Sequence, residues 1–243
     1  WIPPKEMRNA FKMSAGELVP LNEDIMFGID TYRVQKTVDR RGGSKGAMSG
    51  LTAVSMNVEE MPSDKFFLEY LERPSTLENF FQDMQYALLF YGGRVLIENN
   101  VDNMLRFLKT NKMTRFSVRR TDKDKLSPDE KNLGGIPMTS EKVRNAHFFG
   151  IQSYVERNVG IDDEGKERDK GEMGDMPFNR TLDSWSKFTP ENRTSEDLSI
   201  SSGLALLGFR MVRKRFKPNE IMQDVMKGLW GQPYDYSKGN MGM

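Results

Sequence analysis

The chain has no cysteine and a single histidine, His147, in 243 residues. The first absence excludes disulfides, thiolate zinc sites and cysteine nucleophiles, and it fits a reducing compartment. The second leaves no room for a multi-histidine metal site. No apolar run approaches the roughly 20 residues needed to span a bilayer. With 37% hydrophobic and 29% charged residues and a mean hydropathy of -0.64, the composition describes a globular protein with polar loops rather than a membrane protein. A net charge of +1 gives no overall attraction to a polyanion, so any nucleic-acid binding must come from local clusters. The phosphate-cradling spacing G-x-x-x-x-G-K-[ST] is also absent, which argues against ATP hydrolysis by that route. The chain starts at Trp1 rather than Met, carries no signal-peptide pattern and reads as a piece of something longer. Its length suits one core with appendages.

Two short apolar runs end in a carboxylate. Ile25-Met26-Phe27-Gly28-Ile29-Asp30 and Arg94-Val95-Leu96-Ile97-Glu98 each read as a buried strand with an acid at its C-terminal end. In open α/β sheets ligands bind outside the carboxyl ends of strands, so both acids are placed for chemistry. The competing reading is that each acid merely leaves its strand into solvent. Residues 47–56 and 66–71 read as further strands, which with 25–30 suggest an antiparallel meander. Leu77, Phe80, Phe81, Met84 and Leu88 form the stripe of a helix capped by Thr76 and stopped by Gly92-Gly93. Met104, Leu105 and Leu108 mark a second helix, and Arg115–Val118 a fifth strand.

Thr139-Ser140-Glu141-Lys142 can cap a helix running to about Asn158, on whose apolar side His147 reads as a core or rim histidine rather than a ligand. Residues 160–176 are charge and glycine, read as a mobile excursion or hairpin. Phe178, Leu182, Trp185 and Phe188 mark a short helix before Pro190. In the last strong pattern Ile200, Leu204, Leu207 and Met211 make an inward stripe, which places Asp197 on the buried face of its helix. An unpaired carboxylate there would cost several kcal/mol. The alternative is a first-turn acid favoured by the helix dipole. Ser199, Ser201, Ser202, Gly203 and Gly208 would let this helix approach the sheet closely. Residues 1–24 read as a connector with a short helix around Glu6 to Met13, and residues 216–243 as a C-terminal arm.

If the strands at 25–30 and 94–98 are neighbours, Asp30, Glu98 and Asp197 can converge. Like charges a few ångströms apart stay ionised together only when a cation neutralises them. An all-oxygen donor set suits Mg²⁺ or Mn²⁺ rather than zinc, and two such ions support phosphodiester hydrolysis. Glu196 ranks second, since it points about 100° away from Asp197 on a helix. Asp183 sits on a separate helix, and Asp39 and Asp102 read as solvated.

Phe27-Gly28-Ile29-Asp30, Glu72-Arg73-Pro74, Val95-Leu96-Ile97-Glu98-Asn99-Asn100, Gly135-Ile136-Pro137-Met138-Thr139 leading to Lys142, and Asp197 with its small-residue helix together resemble the nuclease domain of the large terminase subunit of tailed bacteriophages. The pieces around Glu72 and Glu98 look most like those of crAss-like phages. The resemblance covers roughly residues 25–215. It implies an α/β RNase H-like fold and an endonuclease that cuts concatemeric double-stranded DNA during packaging. Asp30, Glu98 and Asp197 would be the catalytic acids holding two Mg²⁺ or Mn²⁺ ions. The portal protein and the small terminase subunit would be partners, and the host cytoplasm the location. The family's N-terminal ATPase motifs are missing here, and Ser201 and Ser202 stand where more alanine is expected. Two other readings stay open: a junction resolvase or transposase-type enzyme of the same fold, and a non-catalytic module docking DNA or the portal. Candidate DNA contacts are Arg40, Arg41 and Lys45 near Asp30, Arg119 and Arg120 after the fifth strand, Lys142, and the run Arg210, Arg213, Lys214. A solvated helix C-terminus accounts equally well for that run.

Overall fold

Strand β3 (Ile25–Asp30) is the middle of the molecule: its first five residues are all buried, as a strand covered on both faces requires. In the computed structural model, which describes residues 1–32, 45–53, 61–99, 103–119, 134–160, 166–167, 176–189 and 196–213, β3 pairs antiparallel with β4 (Gly46–Thr52) and parallel with β6 (Arg94–Ile97). Strand β5 (Phe66–Glu72) closes the far edge, giving a four-stranded mixed sheet in the order β5-β4-β3-β6. Helix α1 (Leu77–Tyr91) connects β5 to β6. The Thr76 hydroxyl accepts from the Asn79 amide at 3.1 Å, and Gly92 ends the helix at φ 64, a conformation a side chain would resist.

Strand parity divides the sheet's two faces. Ile25, Phe27, Ile29, Val95 and Ile97 join Phe80, Met84 and Leu88 of α1 in one apolar cluster with α2 (Asn103–Thr110). Met26, Gly28 and Leu96 turn the other way. They meet α5 (Asp197–Arg213), the last helix after α3 (Glu141–Asn158) and α4 (Asn179–Lys187). A Cβ at Gly28 would collide with the Ser201 carbonyl and stand 2.5 Å from the Ala205 amide nitrogen, and one at Gly208 would stand 2.7 Å from the Met26 sulfur. The small residues of α5 therefore do bring its backbone onto the sheet.

Several expectations change. Residues 1–24 hold no helix around Glu6 to Met13. A single 3-10 turn at Lys5–Met7 leads into a hairpin of β1 (Phe11–Ser14) and β2 (Glu17–Pro20), with Ala15 and Gly16 at φ 51 and 78, the two positive φ values of a tight primed turn. Trp1, Met7, Phe11 and Leu18 pack on the apolar cluster, and the Leu18 amide bonds the Lys112 carbonyl at 2.7 Å. The strand expected at Arg115–Val118 is instead a 3-10 turn at Thr114–Phe116, after which Ser117 alone bridges Val95. A short apolar run does not separate a strand from a buried turn. Ser140 precedes α3 without a side-chain capping bond. The strand expected over 47–56 ends at Thr52, and most of the charged segment 160–176 lies outside the described residues.

The chain divides into two units, Trp1–Met211 and Val212–Met243. Beyond residue 213 the second unit, with the expected arm, lies outside the described residues. No helix among those described is long and apolar enough to cross a membrane.

Candidate metal centre

Asp30 is the last residue of β3 and shares the parity of Met26 and Gly28, so its side chain faces α5. Glu98 follows β6 with the parity of Leu96 and takes the same face. Register makes them neighbours: Ile29 lies opposite Ile97, and the Glu98 amide donates to the Ile29 carbonyl at 3.2 Å. Adjacent strands are about 4.8 Å apart. The other side of Glu98 is pinned by Ile136, whose amide bonds the Ile97 carbonyl and whose carbonyl accepts from Asn99, both at 2.9 Å. Gly135, at φ 72, lets that segment come close, since a Cβ there would stand 3.1 Å from the Ile97 carbonyl.

Asp197 arrives as the first residue of α5. Its Oδ2 accepts from the Lys45 backbone amide at 2.9 Å, which ties the third acid to the start of β4. Serines set the position of the helix. Ser201 Oγ meets Ser49 Oγ of β4 at 2.8 Å, Ser199 Oγ meets Ser184 Oγ of α4 at 2.7 Å, and Ser202 accepts from the Trp185 indole at 2.8 Å. The serines that stand where alanine was expected thus act as hydrogen-bonded pegs in a buried interface. His147 belongs to the same packing: it is fully buried and its Nε2 bonds the Ile200 carbonyl at 3.0 Å.

The three carboxylates sense one another. Burial pushes Asp30 well above its ordinary value of 3.8, the charges of Glu98 and Asp197 push it further, and a hydrogen bond to Glu98 adds to the effect. Each neighbouring carboxylate makes a charge on Asp30 costlier. Among the described residues no group of three or more His, Cys, Asp or Glu side chains, the trio included, is placed so that it could hold a metal ion. Mutual repulsion of the carboxylates acts against such a gathering when no cation is present.

Glu196 contributes charge elsewhere. It raises Lys187, which is held charged first by its hydrogen bond to Asp183, and Asp183 and Lys187 form an exposed pair. Asp39 and Asp102 lie outside the described residues. Of the candidate cations, Lys45 adjoins the acids through its backbone and is exposed, as are Arg119, Lys142 and Arg210. Arg210 is thirteen residues along α5 from Asp197, roughly 20 Å at 1.5 Å per residue, too far to serve a phosphate held at the carboxylates. Arg40, Arg41, Arg120, Lys214 and the side chain of Arg213 lie outside the described residues. Sequence reasoning could not find the Lys45 amide, because any residue type would supply it.

A stability prediction follows from Asp30. Its folded pKa is raised, so between about 3.8 and that higher value the native state holds more protons than the unfolded chain. Stability therefore falls as pH rises through this window. Asp30→Asn removes the penalty. In EDTA near neutral pH the variant is expected to melt a few degrees above the wild type, on the order of 1–2 kcal/mol. Thermal melts across pH check this, and a variant that melts below the wild type in EDTA contradicts it. Comparison of the chain with protein-family models, with curated proteins and with solved structures finds no match in any of the three.

Proposed function

We propose that the chain is a metal-dependent endonuclease acting on double-stranded DNA, with an RNase H-like arrangement of its sheet and Asp30, Glu98 and Asp197 as the catalytic acids. The observation that carries the reading is the gathering of these acids, from two adjacent strand ends and a helix start, on one face of the sheet. An antiparallel meander followed by a helix and a parallel strand beside the first strand suits that fold family, and the motif resemblance supplies the context of phage DNA packaging, with portal and small terminase subunit as partners.

The donors suit the implied ions. All are carboxylate oxygens, the set preferred by Mg²⁺ or Mn²⁺, and the raised pKa of Asp30 reflects the negative charge of its neighbours as well as burial. Asp30, Glu98 and Asp197 would hold the ions in their carboxylate forms. Two divalent ions, when bound, supply Lewis-acid stabilisation of the charge that develops on phosphodiester oxygens. The protein's own part is positional. The β3–β6 register sets the spacing of Asp30 and Glu98, the Ile136 segment fixes the backbone of Glu98, and the Lys45 amide orients Asp197. Supercoiled plasmid with Mg²⁺ or Mn²⁺ tests the reading. Nicking and linearisation are expected; no nicking across a wide range of metal and protein concentrations would favour the docking module, and preference for a four-way junction over linear duplex would favour the resolvase.

A further inference from the structure

A site built of three acids repels the polyanion it is meant to cut, so cations at its rim must hold the backbone in place. Register identifies one. Asp30 lies opposite Ala47, and Ala47 and Gly46 lie opposite Leu71 and Glu72 of β5. Arg73 therefore leaves the sheet at the same end as Asp30, two strands away, about 10 Å at the usual strand spacing.

Tyr32, two residues beyond Asp30, packs with the apolar cluster on the α1 side of the sheet. Its ring is 4% exposed and packs edge-on against Phe80 at 5.5 Å. Its hydroxyl lies 3.4 Å from the Pro74 and Thr76 carbonyls. Both ends of the side chain are thus fixed. The Arg73 guanidinium sits over this ring, 5.2 Å from its centroid, while the residue itself is exposed. Burial raises the Tyr32 phenol and the Arg73 charge pulls it partly back. Stacking of this kind by an exposed guanidinium is worth about 0.5–1 kcal/mol. That is small for stability, but it restricts the long side chain to a narrow range of positions. A guanidinium so restrained loses less freedom on binding, and its planar fork matches two phosphate oxygens.

We infer that Arg73, stacked on Tyr32 at the rim of the carboxylate site, is a backbone-phosphate contact that seats duplex DNA against Asp30, Glu98 and Asp197. The inference rests on the nuclease reading for the identity of its ligand. A separation of about 10 Å corresponds to roughly three nucleotide steps at 3.4 Å of rise, so the phosphate held is a neighbour of the scissile one and not the reacting group.

The test is equilibrium binding of a fluorescein-labelled 30-base-pair duplex to the full 243-residue chain in EDTA over a series of salt concentrations. Arg73→Gln keeps the length and removes the charge. It is expected to weaken binding roughly five- to twentyfold and to lower the salt slope by about 1. Arg73→Lys keeps the charge and loses the fork, and is expected to weaken binding roughly threefold with the slope unchanged. Equal affinity and slope for wild type and Arg73→Gln would overturn the inference, as would a wild type that binds no duplex. Should Arg73→Gln melt too early to assay, the lysine variant decides: wild-type affinity overturns the contact, and weaker binding at constant slope supports it. The nuclease reading fails separately. A wild type that binds duplex in an Arg73-dependent way but never nicks plasmid with Mn²⁺ removes that reading alone. One that nicks, with KM unchanged by Arg73→Gln, removes this inference alone.

Discussion

Plasmid cleavage is expected to fall by at least about a hundredfold when Asp30→Asn, Glu98→Gln or Asp197→Asn is introduced singly, since even groups that only support metal ligands cost about 10- to 100-fold when lost. Each substitution keeps the size of the side chain and removes one charge. Glu196→Gln is the control and should stay within about twofold, because the field of Glu196 acts on Lys187 while that of Asp197 acts on Asp30. Asp30→Asn carries a second signature. Without metal it should be more stable than the wild type, so activity and stability move in opposite directions, as they do where a strained site serves function. Wild-type rates from all three variants would show that the trio is wrongly assigned; loss of activity together with loss of fold would show up in the melt.

Gly28→Ala is expected to be among the most destabilising single-methyl additions in the chain. The added carbon would collide with the Ser201 carbonyl oxygen and lie 2.5 Å from the Ala205 nitrogen. Both are backbone atoms of a helix and cannot swing aside as a side chain would. Overpacking typically costs 1–3 kcal/mol. A backbone clash belongs at or beyond the top of that range, about 3 kcal/mol, or a fall in melting temperature of about 6–12 °C for a domain of this size. Gly160→Ala is the control, since its nearest atoms would be 3.6 Å away. Relief of the clash by a shift of α5 would carry Asp197 away from Asp30. Cleavage by Gly28→Ala should therefore fall even at temperatures where the variant remains folded. A variant as stable and active as the wild type would mean that α5 does not pack on β3 as described.

The two acid-terminated strands could be read from the sequence because both are buried on two faces, and such strands show as unbroken apolar runs. The helix stripes of α1 and α5 were visible for a related reason: their periodicity spans several turns. What the sequence does not display is register. Only the pairing of Ile29 with Ile97 makes Asp30 and Glu98 neighbours, and only the pairing of Gly46 with Glu72 brings Arg73 to the same end of the sheet. The β1–β2 hairpin escaped notice because its strands have four residues each and lie near prolines. Their exposed and half-buried positions show no alternation long enough to count. The Arg115–Val118 segment failed the other way, as buried Phe116 and Val118 mimic a strand. Ser201 and Ser202 stand in place of the expected alanine because each hydroxyl has a partner, Ser49 Oγ on β4 and the Trp185 indole N–H on α4.

The most direct test of the central claim is a crystal structure of the chain soaked in Mn²⁺, with the ions located by their anomalous scattering. The account expects manganese held between Asp30, Glu98 and Asp197. Manganese absent from these carboxylates at saturating concentration, or bound only elsewhere, would contradict it.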